Sequence, residues 1–144
     1  MASNYADFQK WMIQDFRQNQ GLISEGPFKD RDVLLLTTKG ARSGEERTQP
    51  LVYSRDGDRI VIVASKGGAP TNPHWYHNLV ANPVVTIELG AEKFNARAST
   101  VEDDAEYERL YASHSKKNPG FLDYRQKTSR RIPIVTLERV AERV

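Results

Sequence analysis

The chain has 144 residues, 38% of them hydrophobic, which suffices for one core and leaves little for a second. Lysines and arginines total 21 against 19 acids, a net charge of +2, so no global field favours nucleic acid and any basic site must be local. The absence of cysteine excludes disulfides, thiolate nucleophiles, iron–sulfur clusters and cysteine-ligated zinc; without a long apolar run or a signal-like N-terminus, the expectation is a soluble, unprocessed, cytoplasmic protein.

Residues 1–20 are expected to hold an amphipathic helix of the same domain that residues 21–144 complete. Tyr5, Phe8, Met12 and Phe16, with Trp11 and Ile13 beside them, recur at helical spacing around Asp7, Lys10, Asp15 and Arg17. Such a helix covers a barrel or sheet; its bulky Phe8, Trp11 and Phe16 also make it a candidate for peripheral membrane contact, although its polar face is not cationic overall. Residues 21–32, with Gly26 and Pro27, read as a loop. Residues 33–38 form a buried-type strand, 40–47 a polar loop, and 50–54 and 59–64 further strands around an Asp56-Gly57 hairpin turn, giving three antiparallel strands in sequence.

After Ala64 comes a glycine loop. Gly67 and Gly68 permit positive φ and close approach of a ligand. Asn72 as N-cap and Pro73 at the first helical position start a short helix with Trp75 and Leu79 on one face, stopped by Asn82 and Pro83. By residue type alone this stretch is either a binding site or a loop and surface helix whose Trp75 plugs the core. Residues 84–89 and 93–101 make a hairpin around Gly90. Residues 102–117 are a helix with acids at its start and Lys116 and Lys117 at its end, matching the helix dipole; Thr100 with Asp103 suggests a weak capping box. Pro119 and Gly120 break it, 121–131 read as a short helix or ordered loop, and 132–140 as the last strand. About six strands in mainly hairpin order argue for a small antiparallel barrel with flanking helices.

Lys39, Arg42, Arg47 and Lys66 collect near predicted strand ends, where backbone N–H groups around Gly40, Gly44, Gly67 and Gly68 could join them in binding phosphate or carboxylate. The alternative is solvated loop charge, partly offset by Glu45 and Glu46. Neither loop has Walker or dinucleotide-fingerprint order. His74 and His77 are three apart with no third ligand in sight, so no metal is expected. Ser65 beside Lys66 lacks a nucleophile-elbow sequence. The basic run of Lys116, Lys117, Arg125, Lys127, Arg130 and Arg131, with Phe121 and Tyr124 interleaved, could suit RNA, but no RNP-like motif accompanies it, and no nucleic-acid partner is expected.

The segments LLLTTKGARSGEERTQPLVY, IVASKGGAPTNPHWYHNLVANP and TSRRIPIVTLERV, in this order, resemble the deazaflavin (F420)-dependent nitroreductase family from about Val33 onward. The resemblance implies a mainly β fold with flanking helices, a split antiparallel β-barrel of the FMN-binding type. It also implies coenzyme F420 (8-hydroxy-5-deazaflavin) as cofactor and hydride transfer from it to a small organic acceptor. It places Lys39, Arg42 and Arg47, with Ser43 and Thr48, toward the phosphate and oligoglutamate tail, and counts Ala41 and Gln49 among the cofactor-binding residues. Pro50, Leu51 and Val52 would run along the ring system, and Val63, Ala64, Ser65 and Lys66 would meet it with backbone groups and the Ser65 hydroxyl. His74, Trp75, Tyr76, His77 and Asn78 would complete the site from the helix. Hydride chemistry belongs to the cofactor, so the protein positions the rings and excludes water.

In the nitroreductase branch, tyrosines before the last strand line the acceptor site; here Asn118 and Phe121 replace two of them and Tyr124 remains. Phe121 cannot donate a hydrogen bond, which points to a quinone or activated enone over a nitro compound, with Ser65 and Tyr124 as candidate catalytic donors to the oxygen that gains charge. Alternatives are an FMN-dependent oxidoreductase of the same barrel, a non-catalytic F420 carrier and an RNA-binding module. A monomer or a homodimer is compatible with the sequence.

Overall fold

The computed structural model describes residues 4–140 apart from 27, 30 and 70; Pro27 and the side chain of Tyr5, both used above, lie outside the described residues. Helix α1 (Asn4–Gln18) is followed by β1 (Val33–Lys39), β2 (Glu46–Val52), β3 (Ser54–Asp56), β4 (Arg59–Val63) and a 3-10 turn (Lys66–Gly68). Then come α2 (His74–Ala81), β5 (Val84–Leu89), β6 (Glu92–Thr100), α3 (Asp104–Lys117), α4 (Gly120–Lys127) and β7 (Ile134–Arg139).

All seven strands form one antiparallel sheet in the order β2-β1-β5-β6-β7-β4-β3. Laid flat at about 4.8 Å per strand, its two edges would stand roughly 29 Å apart. Yet a single residue, Tyr53, joins Val52 at one edge to Ser54 at the other, a reach of about 7 Å. The sheet therefore curls until its edges meet, giving a split barrel. Its interior is lined by Leu34, Leu36, Ile60, Ile62, Val85, Ile87, Ala96, Val135 and Leu137, plugged by Trp75 and Leu79 of α2. The alternate residues of β1, Val33 and Leu35, face outward under Met12 and Phe16 of α1. A third cluster packs α3 and α4 onto the outer side of β4 and β7 through Tyr107, Leu110, Tyr111 and Phe121.

The mainly β architecture with flanking helices agrees with the sequence reading, and four details differ. Among the described residues there are seven strands, not about six, because the expected strand 50–54 divides at Tyr53 into β2 and β3; β2 also begins earlier, at Glu46, since residues 46–49 are polar but pair in register with 36–39 of β1 along an edge where only one side must be covered. The expected run of three sequential antiparallel strands is replaced by two hairpins, β1–β2 and β3–β4, whose outer strands lie at opposite ends of the sheet. Helix α2 has Pro73, not Asn72, at its N-cap, with no side-chain cap, because the Asn72 carboxamide is taken by Arg130. At α3 the cap is Asp103, whose carboxylate accepts from Glu106 N–H at 2.9 Å, since Thr100 is the last residue of β6.

Around α1, Phe8 stacks on Trp11 at 6.1 Å and tilts against Phe28 at 6.3 Å, so the bulky aromatics pack on one another and on the sheet. Among the described residues no helix is long and apolar enough to cross a membrane.

Candidate functional site

The turn between β1 and β2 is built by its own backbone. Gly40 N–H donates to Glu45 C=O at 2.7 Å, and Gly44 N–H donates to Gly40 C=O at 3.0 Å, with Gly44 at φ +73° where only glycine is unstrained. Buried Asn78 of α2 fixes this turn from below: its Oδ1 accepts from Ala41 N–H at 3.0 Å and its Nδ2 donates to Thr38 Oγ1 at 3.2 Å. Both polar ends of Asn78 are thus spent on the protein. Ser43 Oγ accepts from Glu45 N–H, and Thr48 shares a 2.6 Å hydroxyl contact with Thr37.

Lys39, Arg42 and Arg47 are left exposed on this turn, and the nearest carboxylate to Arg47 is Glu45 at a loose 3.9 Å. Six other arginines are paired more closely. Arg17, Arg59, Arg109, Arg125, Arg131 and Arg139 all meet carboxylates within 3.0 Å. Among the described residues, Lys39 and Arg42 have no such partner. Three exposed cations on one turn, of which only Arg47 has a carboxylate contact and that a loose one, offer a surface that can bind an anion.

From Arg47, β2 runs to Val52, roughly 17 Å of extended chain. Along it Gln49 and Leu51 share the interior face, opposite Leu36 and Leu34, while Thr48, Pro50 and Val52 share the outer face, opposite Thr37, Leu35 and Val33. As an edge strand, β2 turns alternate N–H and C=O groups away from β1, and Pro50 is tolerated there because no second neighbour needs its missing donor. At the far end, Val52 and half-buried Tyr124 pack against the cluster that contains Val63 and Phe121. Ala64 and Ser65 are buried beside it. The Ser65 and Tyr124 hydroxyls have no hydrogen-bond partner among the described residues.

The segment after β4 is shaped by two left-handed residues, Lys66 at φ +50° and Gly68 at φ +85°. Gly68 is required twice over, because a Cβ there would lie 2.9 Å from Lys127 Cβ of α4. Lys66 itself is exposed and donates to Thr71 Oγ1 at 3.3 Å. Sequence reasoning missed what holds this segment. Arg130, placed in the basic run above, donates to Ala64 C=O, Ser65 C=O, Ala69 C=O and Asn72 Oδ1 at 2.6–3.2 Å. A signal existed: in an extended approach to β7, adjacent Arg130 and Arg131 must point to opposite sides, so one of them faces the barrel. Arg131 takes the outer side and pairs with Asp104.

Of the α2 residues, His74 and His77 are exposed, Tyr76 is half-buried with its hydroxyl 3.2 Å from Thr100 Oγ1, and Trp75 lies in the barrel core. Asn118 and Phe121 stand apart from the open surface. Asn118 is buried, accepts from Arg31 at 2.5 Å, and lines a 230 Å³ cleft with Arg31, Asp32, Tyr53 and Lys117. Phe121 sits edge-on between His114 at 4.5 Å and Tyr124 at 5.1 Å. A second, 350 Å³ cleft is polar, with Arg125, Arg130 and Arg131 around Tyr107. Behind Asn118, fully buried His114 bonds Ser54 Oγ through Nδ1 at 2.8 Å; burial, reinforced by the nearby Arg31 charge, pushes its pKa down to about 4.

Comparison with known proteins identifies the family. The family model described as F420H(2)-dependent quinone reductase matches residues 4–139. An F420H(2)-dependent quinone reductase of Mycobacterium tuberculosis is 47% identical over 108 residues, 74% of this chain and 72% of the relative. The solved structure of an F420-H2 dependent reductase, FDR-A, superposes with a TM-score of 0.68 at 36% identity, covering 75% of this chain and 95% of that one. Another, described as a domain-swapped dimer, gives 0.71 at 31% identity over 96% of this chain and all of that one.

Proposed function

The chain belongs to the F420H(2)-dependent quinone reductase family and is an F420-dependent oxidoreductase; on that premise we propose how its residues hold the cofactor and which acceptor it serves. The arrangement fits an elongated, polyanionic coenzyme with a flat ring at one end. Lys39, Arg42 and Arg47 take the phosphate and glutamate tail, β2 carries the length between, and Val52, Val63, Ser65 and Tyr124 meet the ring region. The observation that carries this reading is the separation along β2 of exposed, at most loosely paired cations at one end from an apolar cluster whose Ser65 and Tyr124 hydroxyls have no partner among the described residues at the other.

When bound, the reduced deazaflavin supplies the hydride for a two-electron reduction, and solvent can supply the accompanying proton. The chain's part is positioning. Guanidinium and ammonium groups anchor the tail so that the ring reaches its place at little further entropic cost. Val52 and Val63 exclude water from one side, and the Ser65 or Tyr124 hydroxyl donates a hydrogen bond to the acceptor oxygen as it gains negative charge. A flat, neutral acceptor with carbonyl oxygens suits this environment, so a quinone is the proposed substrate class. No side chain needs to act as a general base.

Titration of the purified protein with F420 and, in parallel, FMN, followed by tryptophan fluorescence and then by oxidation of F420H2 with menadione, tests the reading. Saturable F420 binding with turnover is the expected result. Binding without turnover on any quinone, enone or nitro compound would make the chain a carrier, and preference for FMN would reject the proposed binding mode.

A further inference from the structure

We infer that Arg130 is a positioning residue for the deazaflavin ring: its guanidinium holds residues 64, 65, 69 and 72 in the arrangement that receives it. This rests on the binding mode proposed above. Nη2 donates to Ser65 C=O at 2.8 Å and Ala64 C=O at 3.2 Å, Nε to Ala69 C=O at 2.9 Å, and Nη1 to Asn72 Oδ1 at 2.6 Å. Four acceptors spread over nine residues converge on one planar fork, an arrangement a lysine ammonium cannot reproduce.

No carboxylate lies among those acceptors, so the charge is used on neutral oxygens, and burial lowers the pKa of Arg130. The segment needs an external hold. It leaves β4 at Val63, turns through left-handed Lys66 and Gly68, and among the described residues has two internal backbone bonds, Gly68 N–H to Ser65 C=O at 3.0 Å and Ala69 N–H to Lys66 C=O at 3.2 Å. The same Ser65 carbonyl accepts from Arg130, so the clamp fixes the backbone from which the Ser65 side chain projects.

The test compares F420 with the tail-less 8-hydroxy-5-deazaflavin as fluorescence-titration ligands for the unaltered protein, Arg130→Lys and Asn72→Ala. Arg131→Ala serves as a control. Arg130→Lys is expected to weaken both ligands about tenfold, because the defect lies at the ring end, and Asn72→Ala about threefold through loss of one contact. In turnover, KM for F420H2 should rise while KM for menadione holds, a split that general loss of folded protein, which lowers only the apparent kcat, would not produce. Arg131→Ala should bind both ligands as the unaltered protein does. Unchanged binding in both Arg130→Lys and Asn72→Ala would overturn the inference, as would weakening confined to full-length F420. If the unaltered protein binds neither ligand, the binding mode falls and the inference with it.

Discussion

A guanidinium gains most from an anion when carboxylates compete for it only weakly, and Arg47 is such a case, its loose contact with Glu45 being exposed on both sides. Arg47→Ala is expected to raise the F420 Kd roughly tenfold, the worth of one charge-assisted contact, and to leave kcat at saturating F420H2 unchanged. Fluorescence titration alongside steady-state turnover checks both halves. Lys39, Arg42 and Arg47 were legible in the sequence because they sit together in a loop of small residues. Arg130 was not, since by residue type it merges with the basic run around it. That run dissolves in the fold: Lys117 meets Asp32, Arg125 meets Glu108 and Arg131 meets Asp104, partners 85, 17 and 27 residues away that no local pattern reveals.

Among elements, the docking of α4 on the 3-10 turn depends on the missing side chain at position 68. Gly68→Ala combines a left-handed φ with a Cβ only 2.9 Å from Lys127 Cβ, so α4 or the turn must shift. A loss of about 1–3 kcal/mol in urea unfolding is expected, with a fall in turnover because Tyr124 rides on α4. Where elements begin and end was read less well than which elements exist, for local reasons. Both Thr100 and Asp103 are capping residues with an acid three positions on, so the sequence fits two frames; the continuation of β6 to Thr100 selects the second. Residues 46–49 lack a hydrophobic pattern because their strand is an edge, and the apolar runs at 33–36 and 60–63 were legible because their strands are buried.

At the scale of the molecule, the two ends of the curled sheet meet at Tyr53, and the bond between Ser54 and His114 ties α3 to that seam. His114 is neutral in both states above pH 6.5. As pH falls toward about 4, the unfolded chain takes up a proton that the folded protein refuses, so stability declines across that window and levels off below it, by on the order of 3 kcal/mol in all. Glu88 and Glu108, held below the usual carboxylate range mainly by hydrogen bonds from Arg17 and Arg125, lose their contributions only in stronger acid. Denaturant unfolding between pH 6.5 and 4.5 should show the decline, and His114→Asn, neutral throughout, should flatten it. That the edges meet was beyond a strand-by-strand reading, because it follows from which strands pair across long separations.

Strand β7 comes last in chain order, yet it lies inside the sheet, hydrogen-bonded to β6 on one side and β4 on the other. During synthesis, both neighbours therefore leave the ribosome with an unfilled slot between them, and the β3–β4 hairpin has no sheet to join until residues 134–139 arrive. A chain cut short ahead of Ile134 would not be a slightly trimmed barrel but two sheet fragments with open edges, the kind of species that chaperones retain and proteases remove.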